Sequence, residues 1–336
     1  MKRILLLLAL WLLVSPPASW AANRAGSVTM QFDLSAQPKN TAVRLWIPYP
    51  VSDRYQTISN IEWQGDHTSA AVTTDNTNGT PALYLEWPKG AEERKLELSF
   101  SVDRQEILRG PLPTEEPAWN AQDYAKYLAP TRLGPIDGAV QELANRIVEG
   151  KVSTLAKAKA IYDWTIENMY RDPQTRGCGK GDVCALLLKP GGKCTDISSV
   201  YVALCRAAGV PAREVFGLRL GKKAEQDISS WQHCWAEVFI PGAGWIPADP
   251  ADVRKAMLVG KLELNSDKVQ ELRDYFWGGI DAYRFKLASG RDLVLNPAQA
   301  GPPLNTFGYP YAEVDGQPLD FYDSKNFSYR FTYQEQ

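Results

Sequence analysis

The 336-residue sequence has only two histidines, and its charges nearly balance. Lysine and arginine total 37 against 39 aspartate and glutamate residues, which gives a net charge of −2. Sequence-independent binding to nucleic acid requires clustered lysine and arginine, so this balance argues against a nucleic-acid partner. With so few histidines, a histidine-based zinc site is also disfavoured.

Long apolar runs are missing after residue 21, where no stretch reaches the eighteen consecutive apolar residues typical of a membrane-spanning helix. Residues 1–21 instead comprise two basic residues, the apolar run ILLLLALWLLV and a small-x-small end, SWA. This pattern is typical of a secretory signal peptide, and its apolar segment is too short to span a bilayer. We therefore expect a mature chain that begins at Ala22, has no stable membrane span, and is periplasmic or secreted.

The remaining composition is that of a folded protein, with 44% hydrophobic and 23% charged residues. A chain of this length can form two or three domains, each with its own core. We predict a signal peptide at 1–21, a β-sandwich domain at 22–105, a linker at 106–135, a catalytic core at 136–290 and a C-terminal β extension at 291–336.

The first domain is predicted from short alternating segments separated by clusters of Asn, Asp, Gly and Pro. Segments at this spacing are typical of an antiparallel sandwich. The predicted strands are 28–34, 42–47, 58–63, 70–74, 82–86 and 95–102. After the proline-rich linker, helical periodicity predicts helices at 136–149, at 155–170 and around 268–275.

Cys194 follows a pair of glycines and precedes an apolar run with helical spacing that ends at Gly209. This pattern predicts a buried helix with Cys194 in its first turn. Unpaired N–H groups and the helix dipole make a thiol in that position easier to ionise, so Cys194 is a candidate nucleophile. The alternative is a small buried cysteine that only packs.

His233 begins a strongly alternating segment, which is followed by a glycine-containing turn and a return segment that ends in acidic residues. Cys194, His233 and Asp249 occur in the order nucleophile, base and orienting carboxylate. Asp252 is the alternative to Asp249 as the orienting carboxylate. If 241–244 is a four-residue turn, Asp252 lies opposite His233, and Asp249 lies opposite Ala236, about 10 Å along the strand.

These two segments resemble the conserved blocks of the transglutaminase-like superfamily, whose core has the papain-like fold. The resemblance implies an α+β protein in which a helix packs on an antiparallel sheet, preceded by the β-sandwich. It also implies that Cys194 is the nucleophile, His233 the base and Asp249 the orienting carboxylate. The matching residues are Gly192, Cys194, Gly209, Val210, Pro211, Ala212 and Arg213 in the first block, and His233, Trp235, Glu237, Val238, Gly244, Trp245, Asp249 and Pro250 in the second.

Thiol acyl transfer also needs donors for the oxyanion. The backbone N–H of Cys194 is the first candidate donor, and Gln174 or Tyr170 from the upstream loop is a candidate for the second. Glu237 is expected to be structural and to pair with Arg206 or Arg213.

Four cysteines remain besides Cys194. Cys178 and Cys184 bracket the short loop CGKGDVC and form a candidate disulfide in an oxidising compartment. A structural zinc site that uses the same pair is the weaker alternative. We expect Cys205 and Cys234 to be buried free thiols.

Two functions are therefore considered. The first is an exported thiol enzyme that cleaves or transfers amide bonds in peptide or protein substrates through an acyl-enzyme, either as a peptidase or amidase or as a transglutaminase. The second is a non-catalytic binding or assembly module on the same fold. We expect no cofactor and no metal, because no clustered oxygen ligands suggest a calcium site.

Overall fold

The computed structural model describes residues 22–75 and 77–336. The expected signal peptide lies outside the described residues. As predicted, the fold is α+β. The helices are α1 (Ala125–Leu128), α2 (Gly138–Ile147), α3 (Thr154–Asn168), α4 (Val183–Leu188), α5 (Cys194–Ala207), α6 (Pro250–Gly260) and α7 (Asp267–Tyr275). The strands are β1 (Asn23–Asp33), β2 (Val43–Pro48), β3 (Gln56–Gly65), β4 (Ser69–Thr74), β5 (Pro81–Trp87), β6 (Lys95–Gln105), β7 (Tyr170–Arg171), β8 (Gly191–Gly192), β9 (Ala212–Arg219), β10 (Glu225–Asp227), β11 (Gln232–Ile240), β12 (Gly244–Ala248), β13 (Arg284–Ser289), β14 (Tyr311–Val314), β15 (Gln317–Pro318) and β16 (Ser328–Glu335).

The six predicted N-terminal strands are all present, as β1 to β6. In β6 the side chains of Leu96, Leu98, Phe100 and Val102 are buried, while those between them are more exposed. This alternation follows from the two-residue repeat of a strand, which sends successive side chains to opposite faces. The strands form two sheets, with the orders β10-β16-β1-β6-β3 and β15-β14-β2-β5-β4.

Both sandwich sheets include strands from the C-terminal end of the chain. Strand β16 pairs antiparallel with β1, and β14 pairs antiparallel with β2. Phe331 of β16 lies opposite Met30 of β1, and both are buried in the sandwich core. The chain therefore leaves the sandwich after β6, adds the short edge strand β10 to it, and completes it with β14, β15 and β16.

The central helix α5 packs against a second antiparallel sheet, of order β12-β11-β9-β13. Nearly every residue of α5 is buried, as expected for a helix that is surrounded by other elements. Helices α2, α3 and α4 cover its other sides. This packing places the first turn of α5 beside strand β11. Within the described ranges, no helix has both the length and the apolarity needed to cross a bilayer.

Candidate active site

Cys194 is the first residue of α5, as predicted, and its side chain is buried, with 2% of its surface exposed. The residue pair before it, Gly191–Gly192, forms the short strand β8. A Cβ at Gly192 would lie 2.4 Å from Cβ of Asp196, so only glycine fits there. The backbone N–H of Cys194 has no acceptor within its own helix, because the first turn leaves such groups unpaired.

Asp196, in the first turn of α5, binds the loop that precedes α4. Its Oδ1 accepts hydrogen bonds from the backbone N–H groups of Lys180 and Gly181, at 3.0 and 2.8 Å. Its Oδ2 accepts one from the N–H of Lys193, at 3.0 Å. The loop carbonyl of Cys178 in turn accepts a hydrogen bond from the N–H of Thr195, at 2.9 Å. These bonds hold Cys178 against the start of α5. Asp196 had no predicted role, although a carboxylate in the first turn of a helix is a known capping signal.

His233 lies in β11, where it is buried. Its Nε2 is 2.7 Å from Oδ2 of Asp249. Asp249 is the N-cap of α6, and its Oδ1 accepts a hydrogen bond from the N–H of Asp252 at 2.9 Å. The side chain of Asp249 is thereby fixed at both oxygens. Oδ1 of Asp252 is 3.8 Å from Nε2 of His233, so Asp249 makes the closer contact.

The turn between β11 and β12 explains why Asp249 reaches the imidazole. In the structure Ile240 pairs with Gly244 and Ala236 pairs with Ala248, so the turn is one residue shorter than the assumed four. Continued by one residue, this register places Asp249 level with Trp235, two residues from His233 and on the same face of the strand. The assumed register, which set Asp249 opposite Ala236, was therefore wrong, because a one-residue slip moves side chains to the other face.

Two arginines neutralise the buried carboxylates. Nη1 of Arg284 is 3.0 Å from Oδ2 of Asp249, and its Nη2 contacts Asp252. Arg219 binds the other oxygen of Asp252 at 2.6 Å. Asp252 therefore forms ion pairs with the two arginines and is not the main partner of His233. The expected pairing of Glu237 with Arg213 is also present, at 2.6 Å.

Cys194 and His233 have pKa values shifted in opposite directions. Hydrogen bonds from the thiols of Cys178 and Cys234, and then the hydrogen bond and charge of His233, outweigh burial and hold the pKa of Cys194 well below its usual value. Burial is the largest influence on His233 and, together with Arg219, lowers its pKa. The carboxylates of Asp249 and Asp252 outweigh both, so the net pKa of His233 is raised. At neutral pH this combination favours a thiolate beside an imidazolium.

Three thiols meet at the start of α5. The sulfur atoms of Cys178, Cys194 and Cys234 all lie within 4.8 Å of one another, and all three residues are buried. The Sγ of Cys178 is 3.1 Å from the hydroxyl of Tyr309, and that of Cys234 is 3.2 Å from Oγ1 of Thr195. As expected, Cys205 and Cys234 are buried free thiols.

The candidate disulfide between Cys178 and Cys184 is not formed among the described residues, where all five cysteines are free. Cys184 is exposed on α4, whereas Cys178 is buried beside Cys194. The short spacing suggested a closed loop, but the bonds from Asp196 turn Cys178 towards the helix instead. The zinc alternative fails for the same reason, because the two thiols are directed to different surroundings.

A second cluster of possible metal ligands comprises His233, Asp249 and Asp252. Arg284 and Arg219 already bind these carboxylates. A cation there would face two guanidinium groups, so the cluster suits an ion-pair network better than a metal centre.

A cleft of about 850 Å³ opens in front of Cys194 and His233. Neither Gln174 nor Tyr170 is among the described residues that line it; the residues of the upstream loop that do are Arg171, Gly177 and Cys178. The cleft is bordered by basic groups and aromatic rings, among them Arg171, Lys193, Lys222, Lys255, Trp231, Tyr283, Tyr309 and Tyr322.

Comparison with known proteins places this geometry in a family. The sequence model of the transglutaminase-like superfamily matches residues 141–250, which include Cys194, His233 and Asp249. An uncharacterized protein of Haemophilus influenzae is 37% identical over 332 residues, which covers 90% of this chain and 89% of that protein. The chain belongs to the transglutaminase-like superfamily.

Two solved structures are similar to this chain to different degrees. A proposed cysteine protease from Cytophaga hutchinsonii aligns with a TM-score of 0.51 and 19% identity, over 94% of this chain and 98% of that one. The periplasmic domain of TgpA from Pseudomonas aeruginosa aligns with a TM-score of 0.36 and 14% identity, over 76% of this chain and 99% of that one. The Cytophaga protein therefore shares the fold along nearly the whole length of this transglutaminase-like chain.

Proposed function

We propose that the protein is an exported thiol enzyme that cleaves or transfers amide bonds in peptide or protein substrates. One observation carries this proposal. The pKa of the Cys194 thiol is lowered at the start of α5, and His233 beside it is bound to Asp249 at 2.7 Å. A nucleophile, a base and an orienting carboxylate that share one cleft are the parts that acyl transfer requires.

In the first half-reaction, the thiolate of Cys194 attacks the carbonyl carbon of the substrate. The resulting oxyanion receives a hydrogen bond from the N–H of Cys194 at the positive end of α5. His233 then donates its proton to the leaving amine, and the C–N bond breaks to leave a thioester on Cys194. Asp249 holds the N–H at Nε2 of His233, so that Nδ1 is the nitrogen that exchanges the proton.

In the second half-reaction, His233 takes a proton from the incoming nucleophile, which attacks the thioester and releases the thiolate. Water as the acceptor gives hydrolysis, and a primary amine gives transfer. The two outcomes differ only in which acceptor reaches the thioester.

The charge of the cleft bears on the substrate. Arg171, Lys193, Lys222 and Lys255 border it, and Asp281 is the acidic side chain among the described residues that line it. We expect acyl donors with a carboxylate near the scissile amide to bind better than basic ones. The preference should weaken as salt is added, because such charges are screened over about 10 Å at 0.1 M ionic strength.

The test is an activity screen of the chain that begins at Ala22. Fluorogenic peptide amides, in acidic, neutral and basic series, are incubated with and without a fluorescent primary amine. Cys194→Ala is compared with Cys184→Ser, which removes the exposed thiol on α4 instead. We expect the wild type and Cys184→Ser to turn over the acidic series, and Cys194→Ala to be inactive.

Two results would refute the proposal. One is turnover by Cys194→Ala equal to that of the wild type. The other is a wild type without activity on the whole panel, in which iodoacetamide labels Cys194 no faster than Cys184. Export is tested separately, by fractionating the native host and sequencing the N-terminus, where a mature protein that retains residues 1–21 would contradict it.

A further inference from the structure

The mechanism above uses one thiol, yet the site contains three. Cys178 and Cys194 both line the cleft, and Cys234 lies behind them with its Sγ 3.2 Å from Thr195 Oγ1. A small molecule that enters the cleft therefore meets Cys194 with Cys178 at its side. The three sulfur atoms lie within 4.8 Å of one another, so a modest movement would bring two of them to bonding distance.

The main chain around Cys178 is suited to that movement. The hydrogen bond from the N–H of Thr195, the residue after Cys194, to the carbonyl of Cys178 keeps the backbone of Cys178 close to the first turn of α5. Cys178 stands between Gly177 and Gly179, which have φ values of +56° and +95°. Cys234 lies instead in strand β11, where it pairs with Phe216 of β9. The loop residue can adjust its backbone more easily than the strand residue.

We propose that Cys178 is a resolving thiol that forms a reversible disulfide with Cys194 when a hydroperoxide enters the cleft. The Cys194 thiolate attacks one peroxide oxygen, the O–O bond breaks, and the departing hydroxide or alkoxide takes up a proton. Sulfur is oxidised to a sulfenic acid, and the peroxide is reduced. The sulfur of Cys178 then attacks the Cys194 sulfur, the S–O bond breaks, and the hydroxyl leaves as water with the proton of Cys178. The disulfide blocks the nucleophile and protects it from irreversible oxidation.

The ionisation of the two thiols supports this order of events. Cys194 has a lowered pKa and supplies the reactive thiolate. The hydrogen bond between Cys178 and Cys194, together with burial, raises the pKa of Cys178. Cys178 therefore stays protonated and carries the proton that the leaving hydroxyl needs. The inference rests on the proposed function only where it states that oxidation stops turnover, since the disulfide chemistry is measurable by itself.

The test follows the bond by mass spectrometry. The chain is treated with equimolar hydrogen peroxide in buffer with a chelator, alkylated, and digested with trypsin without reduction. Trypsin releases Cys178 in peptide 177–180, Cys184 in 181–193 and Cys194 in 194–206, so each thiol pair gives a distinct linked product. Fragmentation separates Cys194 from Cys205 within the last peptide. We expect peptides 177–180 and 194–206 to be linked through Cys194 and to separate on reduction.

The comparison variant is Cys178→Ser, which keeps a hydrogen-bond donor beside Cys194. For this comparison all variants receive at least two equivalents of hydrogen peroxide, because each step from thiol through sulfenic to sulfinic acid consumes one. In Cys178→Ser we then expect Cys194 to become sulfinic acid, with activity that reduction does not restore. The wild type and the Cys184→Ser control should recover their own untreated activity. The proposal is overturned if wild-type Cys194 over-oxidises as readily as it does in Cys178→Ser, or if it links to Cys234 instead. A linked pair in the wild type, together with turnover by Cys194→Ala equal to that of the wild type, would refute the proposed function and leave this inference standing.

Discussion

Arg284 donates from Nη1 to Oδ2 of Asp249 at 3.0 Å, and this is the same oxygen that contacts His233. Both residues are almost fully buried. One carboxylate oxygen thus joins the imidazole to a guanidinium that also contacts Asp252. This sharing fixes the orientation of the Asp249 carboxylate and links the geometry of the site to the stability of the fold.

Replacing Asp249 with asparagine tests its role as the orienting carboxylate. Asp249→Asn keeps the shape of the side chain but presents an amide to Nε2 of His233, so the imidazole is no longer held in one tautomer. By analogy with serine protease triads, we expect kcat to fall by up to roughly 10⁴-fold. The measurement is kcat on the best amide from the screen.

Asp252→Asn is the matched control, because its carboxylate lies 3.8 Å from Nε2 of His233 and binds Arg219 and Arg284. It leaves the contact between His233 and Asp249 in place, so its kcat should fall much less. An equal or larger loss in Asp252→Asn would assign the orienting role to Asp252.

Removing the guanidinium of Arg284 should destabilise the protein. Arg284→Met leaves the buried carboxylates of Asp249 and Asp252 without their shared partner. We expect the free energy of unfolding to fall by about 3–5 kcal/mol, as measured by urea denaturation. The control is Arg330→Met, which breaks the exposed pair with Asp227 and should cost about 0–1 kcal/mol. Similar losses in the two variants would show that the buried network contributes no special stability.

The two shifted pKa values predict the pH dependence of the reaction. The pKa of Cys194 is lowered, so its thiolate persists as the pH falls below the usual thiol range. The pKa of His233 is raised above 6.5, so its imidazolium persists as the pH rises through that value. We therefore expect kcat/KM to be bell-shaped, with a plateau across neutral pH, an acid limb set by Cys194 and an alkaline limb set by His233.

The rate of alkylation of Cys194 by iodoacetamide reports the ionisation of that thiol alone, which sets the acid limb of the profile. In His233→Ala, the loss of the imidazolium should raise the pKa of Cys194, and the iodoacetamide reaction should then need a higher pH. His67→Ala, in the turn between β3 and β4, is the control and should leave the profile unchanged. An unshifted profile in His233→Ala would mean that the imidazole does not act on the thiol.

Gly179 tests the loop that carries Cys178. Gly179 has a φ of +95°, and a Cβ there would lie 1.9 Å from Oδ2 of Asp196. Gly179→Ala should displace the loop, lower the melting temperature and slow the alkylation of Cys194, because the Cys178 thiol would move away. Gly150→Ala is the control, since Gly150 has a φ of +72° but open space around it. In that variant the free energy of unfolding should fall by only about 1–2 kcal/mol through backbone strain, and the alkylation rate of Cys194 should be unchanged. Equal effects of the two variants would contradict the prediction.

The site was predicted in part, and the limit can be traced to one turn. The placement of Cys194 in the first turn of α5 follows from its glycine pair and from the apolar periodicity after it. The relation of Asp249 to His233 depends on how many residues the turn after β11 contains. Gly242 and Gly244 both adopt positive φ values, so the local sequence is compatible with more than one turn length. Pairing between β11 and β12 selects one of them.

The sequence by itself determined the helices α2, α3, α5 and α7, most strands and the chemical types at the candidate site, because periodicity, capping and turn residues act between near neighbours in the chain. Tertiary structure alone decided that β14 and β16 complete the N-terminal sandwich. It also decided that Cys178 meets Cys194 and not Cys184. The pairings of β14 and β16 join segments that are far apart in sequence. The position of Cys178 depends on a few hydrogen bonds between its loop and Asp196. Their free energy depends on what packs around them, which no local pattern encodes.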